Sequence, residues 1–231
     1  VPHDERDGSL SDWLGRFGIS WPGPRDPLWS RKEAHRLPGR RTTRALRRFV
    51  ETLRPLENPA ILDLGPACGP TVSFLGHELG CRLVVADLYA EFDAATGQGA
   101  DAAVRKGLAE DLRQAAGSAD GVLCWDLFDY LSRGESQLLG ASVARVLRPG
   151  GVALALFSSV AYAAPELTRY AIDDIDHLTY RPVPSAMTQG QVWSGRDIAR
   201  IFSGLRVDET YLLAHGLREV VLRKLRSPQQ E

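Results

Sequence analysis

The period of the apolar positions changes near residue 56. Over 42–56, Ala45, Phe49, Leu53 and Leu56 recur near helical spacing with arginines opposite them. That pattern predicts an amphipathic helix. After Pro59, short apolar runs alternate with helical stretches. Strands are expected at 60–64, 82–86, 121–125 and 152–157, with a weak one at 102–106. Helices are expected at 71–79 and 136–147, the second broken by Pro149-Gly150-Gly151, and at 196–202 behind Ser194 with Asp197 three residues on. Two further strands, 205–213 and 217–223, flank Ala214-His215-Gly216. Strands alternating with helices imply a mostly parallel sheet covered on both faces. The last connection is too short for anything but a hairpin, so the final strand should run antiparallel.

This is an α/β pattern with seven strands in one domain, 42–231, behind a loop-rich extension, 1–41. The 231 residues are 44% hydrophobic and 25% charged, which is ordinary for a globular chain. A formal charge of -1 gives no reason to expect a polyanionic partner. Cys68, Cys81 and Cys124 are an odd set without metal-type spacing, so neither a disulfide scaffold nor a metal site is expected. No apolar run reaches the roughly 18 residues of a membrane span, and the polar N-terminus does not read as a signal peptide. A cytoplasmic protein with no membrane partner is the expectation.

Charge is uneven along the chain. Residues 24–54 hold ten basic side chains against three acids. Such a segment can track RNA phosphates. The favoured reading is a solvated helix face, because arginine supplies 25 of the 28 basic residues overall. On that reading 24–56 lies over a ligand cleft, with Trp21 and Trp29 packed nearby as a lid. The stretch 161–193 exceeds a plain connection. Its Tyr162, Tyr170, Tyr180, Trp193, Asp173, Asp174, Asp176 and His177 suit a substrate wall or an oligomer contact.

In open α/β sheets the ligand sits beyond the carboxyl ends of the strands. The first strand leaves through Asp63-Leu64-Gly65-Pro66-Ala67-Cys68-Gly69, where small residues allow a tight turn and close approach of a ligand. The second ends at Asp87, where a carboxylate can accept from both hydroxyls of a ribose. A dinucleotide fingerprint would need glycines where Ala67 and Pro70 stand, which disfavours NAD(P). The plainer readings make Asp63 and Asp87 strand-end caps, Asp126 a helix cap, and Cys68, Cys124, Trp125 and Phe128 core residues.

These segments resemble the class I S-adenosylmethionine (SAM)-dependent methyltransferases. Residues 61–69 look like their acidic, glycine-rich first motif, and Asp87 matches the acid closing their second strand. Residues 109–112 and 120–131 resemble their adenine loop and fourth strand, and Val146-Leu147-Arg148-Pro149-Gly150-Gly151-Val152 their helix–turn–strand motif. The resemblance implies a Rossmann-like fold and SAM as cofactor. Asp63 would hold the cofactor's ammonium, Gly65, Pro66, Ala67, Cys68 and Gly69 would line its methionine part, and Asp87 with Leu88 would take the ribose. Ala109, Glu110, Asp126 and Leu127 would complete the cofactor shell. Asp126 and Tyr130 are the preferred catalytic residues, with Asp129 and His177 as further candidate bases. Two departures are Ala67, at the middle glycine, and Leu108, where an adenine-binding aspartate is common. The expected reaction is methyl transfer to a small-molecule acceptor. The alternatives are a non-catalytic SAM-binding or protein-interaction module and, less favoured, an RNA methyltransferase.

Overall fold

The computed structural model describes residues 39–97, 112, 114–160, 166–185, 187–213 and 216–226. In chain order the strands are β1 (Gly39–Thr42), β2 (Ala60–Asp63), β3 (Arg82–Val85), β4 (Ala119–Trp125), β5 (Leu147–Ser158), β6 (Glu166–Asp174), β7 (His177–Pro184), β8 (Arg206–Leu212) and β9 (Leu217–Arg223). The helices are α1 (Ala45–Leu53), α2 (Gly69–Leu79), α3 (Leu88–Gly97), α4 (Arg133–Val146) and α5 (Gly195–Ile201), with a 3₁₀ turn at Leu127–Tyr130.

Six strands form the central sheet in the order β3-β2-β4-β5-β9-β8. The pairs β2–β3, β2–β4 and β4–β5 are parallel, and β9 runs antiparallel to both neighbours. The sheet is thus six-stranded among the described residues, not seven-stranded. The weak strand expected at 102–106 lies outside them, as do Trp21 and Trp29. Every residue of β2 and β4 is buried, as strands covered on both faces must be.

The helix expected over 42–56 is shorter at both ends. Ala45, Leu46, Phe49, Val50 and Leu53 are fully buried, whereas Leu56 is 44% exposed. The helix lies against β4, β5 and β9. A Cβ at Gly121 would stand 2.7 Å from the Phe49 ring, so that glycine admits the helix to the sheet. Within the expected cover 24–56, α1 therefore lies on the sheet face and not over the cleft, β1 joins the hairpin, and residues 24–38 lie outside the described residues. Five apolar side chains need a broad apolar surface, and the sheet face provides it, at about 1.5–3 kcal/mol for a side chain such as Phe49. Glu219 of β9 fixes the start of α1, its Oε2 accepting from the N–H groups of Arg44 and Ala45 at 2.8 and 2.9 Å. A carboxylate there also suits the helix dipole.

On the other side of the sheet α4 packs on α5, where a side chain at Gly140 would collide with the Ile201 carbonyl. Both helices begin with capping boxes, Ser132 with Glu135 and Ser194 with Asp197. The first starts α4 earlier than the expected residue 136.

The insertion is a β-hairpin. Strands β6 and β7 pair antiparallel, and β1 joins the free edge of β7. The basic segment and the acidic hairpin hold each other. Arg40 reaches Asp173 and Asp174 at 3.2 and 2.9 Å, and Arg47 reaches Asp176 at 2.6 Å. No helix among the described residues is long and apolar enough to cross a membrane.

Candidate functional site

The carboxyl ends of β2, β3 and β4 converge on a group of acids and aromatic rings. Strand β2 ends at Asp63, which is 2% exposed. Its Oδ1 accepts from the Gly65 N–H at 2.9 Å and from the Trp125 Nε1–H at 2.7 Å. Burial pushes this carboxyl up to about 7, against the opposing pull of those two donors. Gly65 is glycine because of the indole: a Cβ there would lie 2.6 Å from the Trp125 ring.

The turn that follows has few free donors. Pro66 and Pro70 have no N–H, and the Gly65 N–H is committed to Asp63. The N–H groups of Ala67, Cys68 and Gly69 are what the turn can offer. Ala67 is exposed, and Cys68 is buried with its thiol pushed up by burial.

Asp87 and Trp125 take left-handed backbone angles, φ 42° and 50°, which non-glycine residues seldom adopt. Trp125 is the last residue of β4 and Asp87 stands two residues beyond β3, both at the cleft, where such strain is a mark of functional sites. Asp87 is half-buried. Its Oδ1 caps α3 through the Ala90 N–H at 3.2 Å, and burial raises its carboxyl above the ordinary range.

Asp126 sits inside a ring of phenols. Its Oδ1 accepts from the Tyr89 hydroxyl at 2.7 Å, and its Oδ2 from Tyr170 at 3.3 Å and Tyr130 at 3.4 Å. Burial pushes Asp126 up to about 6, and the hydroxyl bonds from Tyr89 and Tyr170 pull the other way. The N-cap expectation fails, since the Asp126 side chain makes no cap bond to the turn that follows. Asp129 is a strut. Its Oδ2 accepts from the Ser158 N–H at 2.7 Å, while its buried Oδ1 has no partner among the described residues. Burial, then the charge of Asp126, holds its carboxyl well above the usual range, so it is poorly suited as a base.

The hairpin covers this group. The Tyr170 ring stacks on Trp125 with centroids 5.7 Å apart and planes 5° from parallel. The Ile172 N–H donates to Thr71 Oγ1 at 3.1 Å, and the Thr168 N–H to the Tyr130 hydroxyl at 3.2 Å. His177 is instead held at the hairpin turn by Asp174, 2.8 Å from its Nδ1.

The structure therefore brings together Asp63, the Gly65–Gly69 turn, Asp87, Asp126 and Tyr130. Leu88 and Leu127 are 3% and 0% exposed and belong to the core. Ala109 and Glu110 lie outside the described residues. Sequence reasoning treated Trp125 as core, offered Tyr170 only as part of a substrate wall or oligomer contact, and missed Tyr89 and Thr71 as site residues. Tyr89 had a local signal, standing two residues after Asp87. Tyr170 and Thr71 join the site only through the hairpin.

Residues 61–151 match the family model described as a methyltransferase domain. A search of curated proteins gave no match. Among solved structures, a protein of Pyrococcus horikoshii OT3 is 17% identical, over 79% of this chain and 92% of its own, with a TM-score of 0.44. The glycopeptide N-methyltransferase MtfA, complexed with SAM, is 14% identical over 79% and 93%, at 0.44. The 1,6-didemethyltoxoflavin-N1-methyltransferase of Burkholderia thailandensis, bound to 1,6-didemethyltoxoflavin and S-adenosylhomocysteine, is 15% identical over 78% and 78%, at 0.46. These structural likenesses are distant, and the family match is the stronger finding. Over residues 61–151, which run from β2 into β5, the chain is similar to the methyltransferase domain that this model describes.

Proposed function

We propose that this protein transfers the methyl group of SAM to a small-molecule acceptor at the carboxyl ends of β2, β3 and β4. The observation that carries the reading is the pairing of Asp63 and Asp87, at adjacent strand ends, across the Gly65–Gly69 turn.

The residues suit the cofactor. Both donors to Asp63 converge on Oδ1, which leaves Oδ2 for an ammonium group. Asp87 uses Oδ1 for its cap, leaving Oδ2 for ribose hydroxyls. A Cβ at Gly69 would meet nothing within 4 Å, so the backbone there is open to a ligand. SAM, when bound, supplies an electrophilic methyl group. Positioning provides much of the rate of an in-line displacement. The stacked Trp125–Tyr170 pair and the hairpin above it exclude water from the acceptor side.

An acceptor that begins protonated needs a base, and one that titrates near the working pH is the most effective. Asp126, pushed up to about 6, meets that condition. The Tyr89 and Tyr170 hydroxyls favour its ionised form. A small acceptor is favoured over RNA because four of the six basic side chains of that segment among the described residues are spent within the fold. Arg40, Arg47, Arg48 and Arg54 all pair with the chain's own carboxylates.

Titration calorimetry with SAM and its demethylated product tests the reading. Binding is expected, weakened by about 1.5–3 kcal/mol in Asp87→Ala, the range for hydrogen bonds to a charged group. Binding of NADH with no response to SAM would overturn it.

A further inference from the structure

A cavity opens between β1, β7 and the β8–β9 hairpin. It has a volume of about 660 Å³ and is lined by Arg40, Arg41, Arg44, Tyr180, Tyr211 and Leu217 among others. That size falls within the roughly 300–1,000 Å³ of small-molecule sites. We infer that this cleft binds a small molecule with one anionic group, a carboxylate, phosphate or sulfonate, on an apolar body. The assignment deepens the proposed function, because it makes that molecule the methyl acceptor.

The positive charge facing the cleft is not all consumed by the protein. Arg40 is neutralised by Asp173 and Asp174. Arg41 and Arg44 have no carboxylate partner among the described residues. Arg41 forms no ion pair with Asp126, although its charge favours that carboxylate, which the phenols hold, and the other acidic neighbours are engaged. Glu209 is held by Arg48 at 2.7 Å and bonded by the Tyr211 hydroxyl. Glu219 is fully buried and accepts from two N–H groups of α1.

Arg41 is also pre-oriented. Its guanidinium lies 3.7 Å from the centroid of the Tyr180 ring. That ring lies against β1 only because residue 39 is glycine, since a Cβ there would collide with it. A stacked guanidinium keeps its N–H edge free for an oxyanion. The apolar part of a ligand would rest on Tyr211 and Leu217, the latter 6% exposed.

The cleft adjoins the proposed reaction centre. The Arg41 guanidinium is 5.7 Å from the Tyr170 ring, and the hydroxyl of that ring bonds Asp126. A molecule anchored on Arg41 therefore lies one aromatic ring from the candidate base.

The probe for the test is 1-anilinonaphthalene-8-sulfonate, with uncharged N-phenyl-1-naphthylamine as its control. Fluorescence titration of the full chain should give saturable one-to-one binding of the sulfonate that weakens with salt. The double variant Arg41→Gln/Arg44→Gln should lose about tenfold or more in sulfonate affinity, the equivalent of one charged hydrogen bond, and keep its affinity for the neutral probe. Arg44→Gln alone, at an exposed position, should show part of the loss with an unchanged melting temperature. Equal sulfonate affinity in wild type and double variant, or equal loss of both probes, would overturn the inference. SAM calorimetry on the same proteins separates the two proposals. Retained SAM binding without the sulfonate effect sinks only this cleft, and absent SAM binding with the effect intact sinks only the methyl-transfer reading.

Discussion

The indole of Trp125 donates to Asp63 at 2.7 Å while its ring occupies the space that a side chain at residue 65 would need. One residue thus enforces a glycine in the turn and supplies a donor to the carboxyl beneath it. Its left-handed backbone, φ 50°, aims the ring across the strand ends. Tyr170 then closes over the outer face of that ring.

Trp125→Phe keeps an aromatic ring for Tyr170 and removes the donor. Asp63 is left with the Gly65 N–H alone, and a buried group that loses a partner costs about 1–3 kcal/mol. Urea unfolding should register that loss more strongly at pH 8, where the carboxylate is ionised, than at pH 5. A variant equally destabilised at both values would assign the cost to packing.

The raised carboxyls give stability a pH dependence of definite sign. Asp63 titrates at about 7 in the folded chain against an ordinary 3.8, so between those values the folded state holds the extra proton. Its contribution is complete below pH 4 and is lost as pH rises to 7. Asp126 acts in the same direction up to about 6. Asp63→Asn keeps acceptor geometry toward Gly65 and Trp125 and removes the titration. Relative to wild type it should gain on the order of 1–4 kcal/mol between pH 4 and 7. Parallel stability curves for the two proteins would contradict this.

The parallel part of the fold was legible because buried strands and capped helices are local patterns. Residues 60–63, 82–85 and 119–125 are short apolar runs, and each is followed by a turn or an acid at the ligand edge. Asp63, Asp87 and Asp126 were found by their place at strand ends. The capping box of Ser132 and Glu135 was equally local but was passed over. The hairpin was not legible as strands, although Leu167, Tyr170, Ile172, Leu178 and Val183 are buried along it. Its core face is set by what it covers, namely Trp125, Thr71 and Tyr130, all distant in sequence. The same holds for α1, whose start depends on Glu219, some 170 residues away.

Glu219→Ala tests that remote cap. Two N–H groups at the start of α1 would lose their acceptor, at about 1–3 kcal/mol for each one left without a partner. Glu219→Gln retains a carbonyl acceptor and should cost less. Chemical denaturation of both variants, with hydrogen exchange at Arg44 and Ala45, should show faster exchange in the alanine variant. Unchanged protection there would mean that burial of Phe49 and Leu53 alone holds the helix start.

Tyr170 offers the clearest separation of stacking from proton chemistry. Tyr170→Phe preserves the ring on Trp125 and removes one hydroxyl from Asp126 Oδ2, leaving Tyr89 on Oδ1 and Tyr130 on Oδ2. That hydroxyl stabilises the carboxylate, so without it Asp126 should titrate above about 6. Carbon-13 NMR of labelled aspartate carboxyls should report the upward shift directly. Once an acceptor is in hand, the acidic limb of kcat/KM should move to higher pH by the same amount, with SAM affinity little changed. Tyr170→Leu removes hydroxyl and stack together, so it should add a stability loss that the phenylalanine variant lacks. If the phenylalanine variant leaves the Asp126 titration where it was, the Tyr170 hydroxyl does not stabilise that carboxylate. Its value to the site would then lie in covering Trp125.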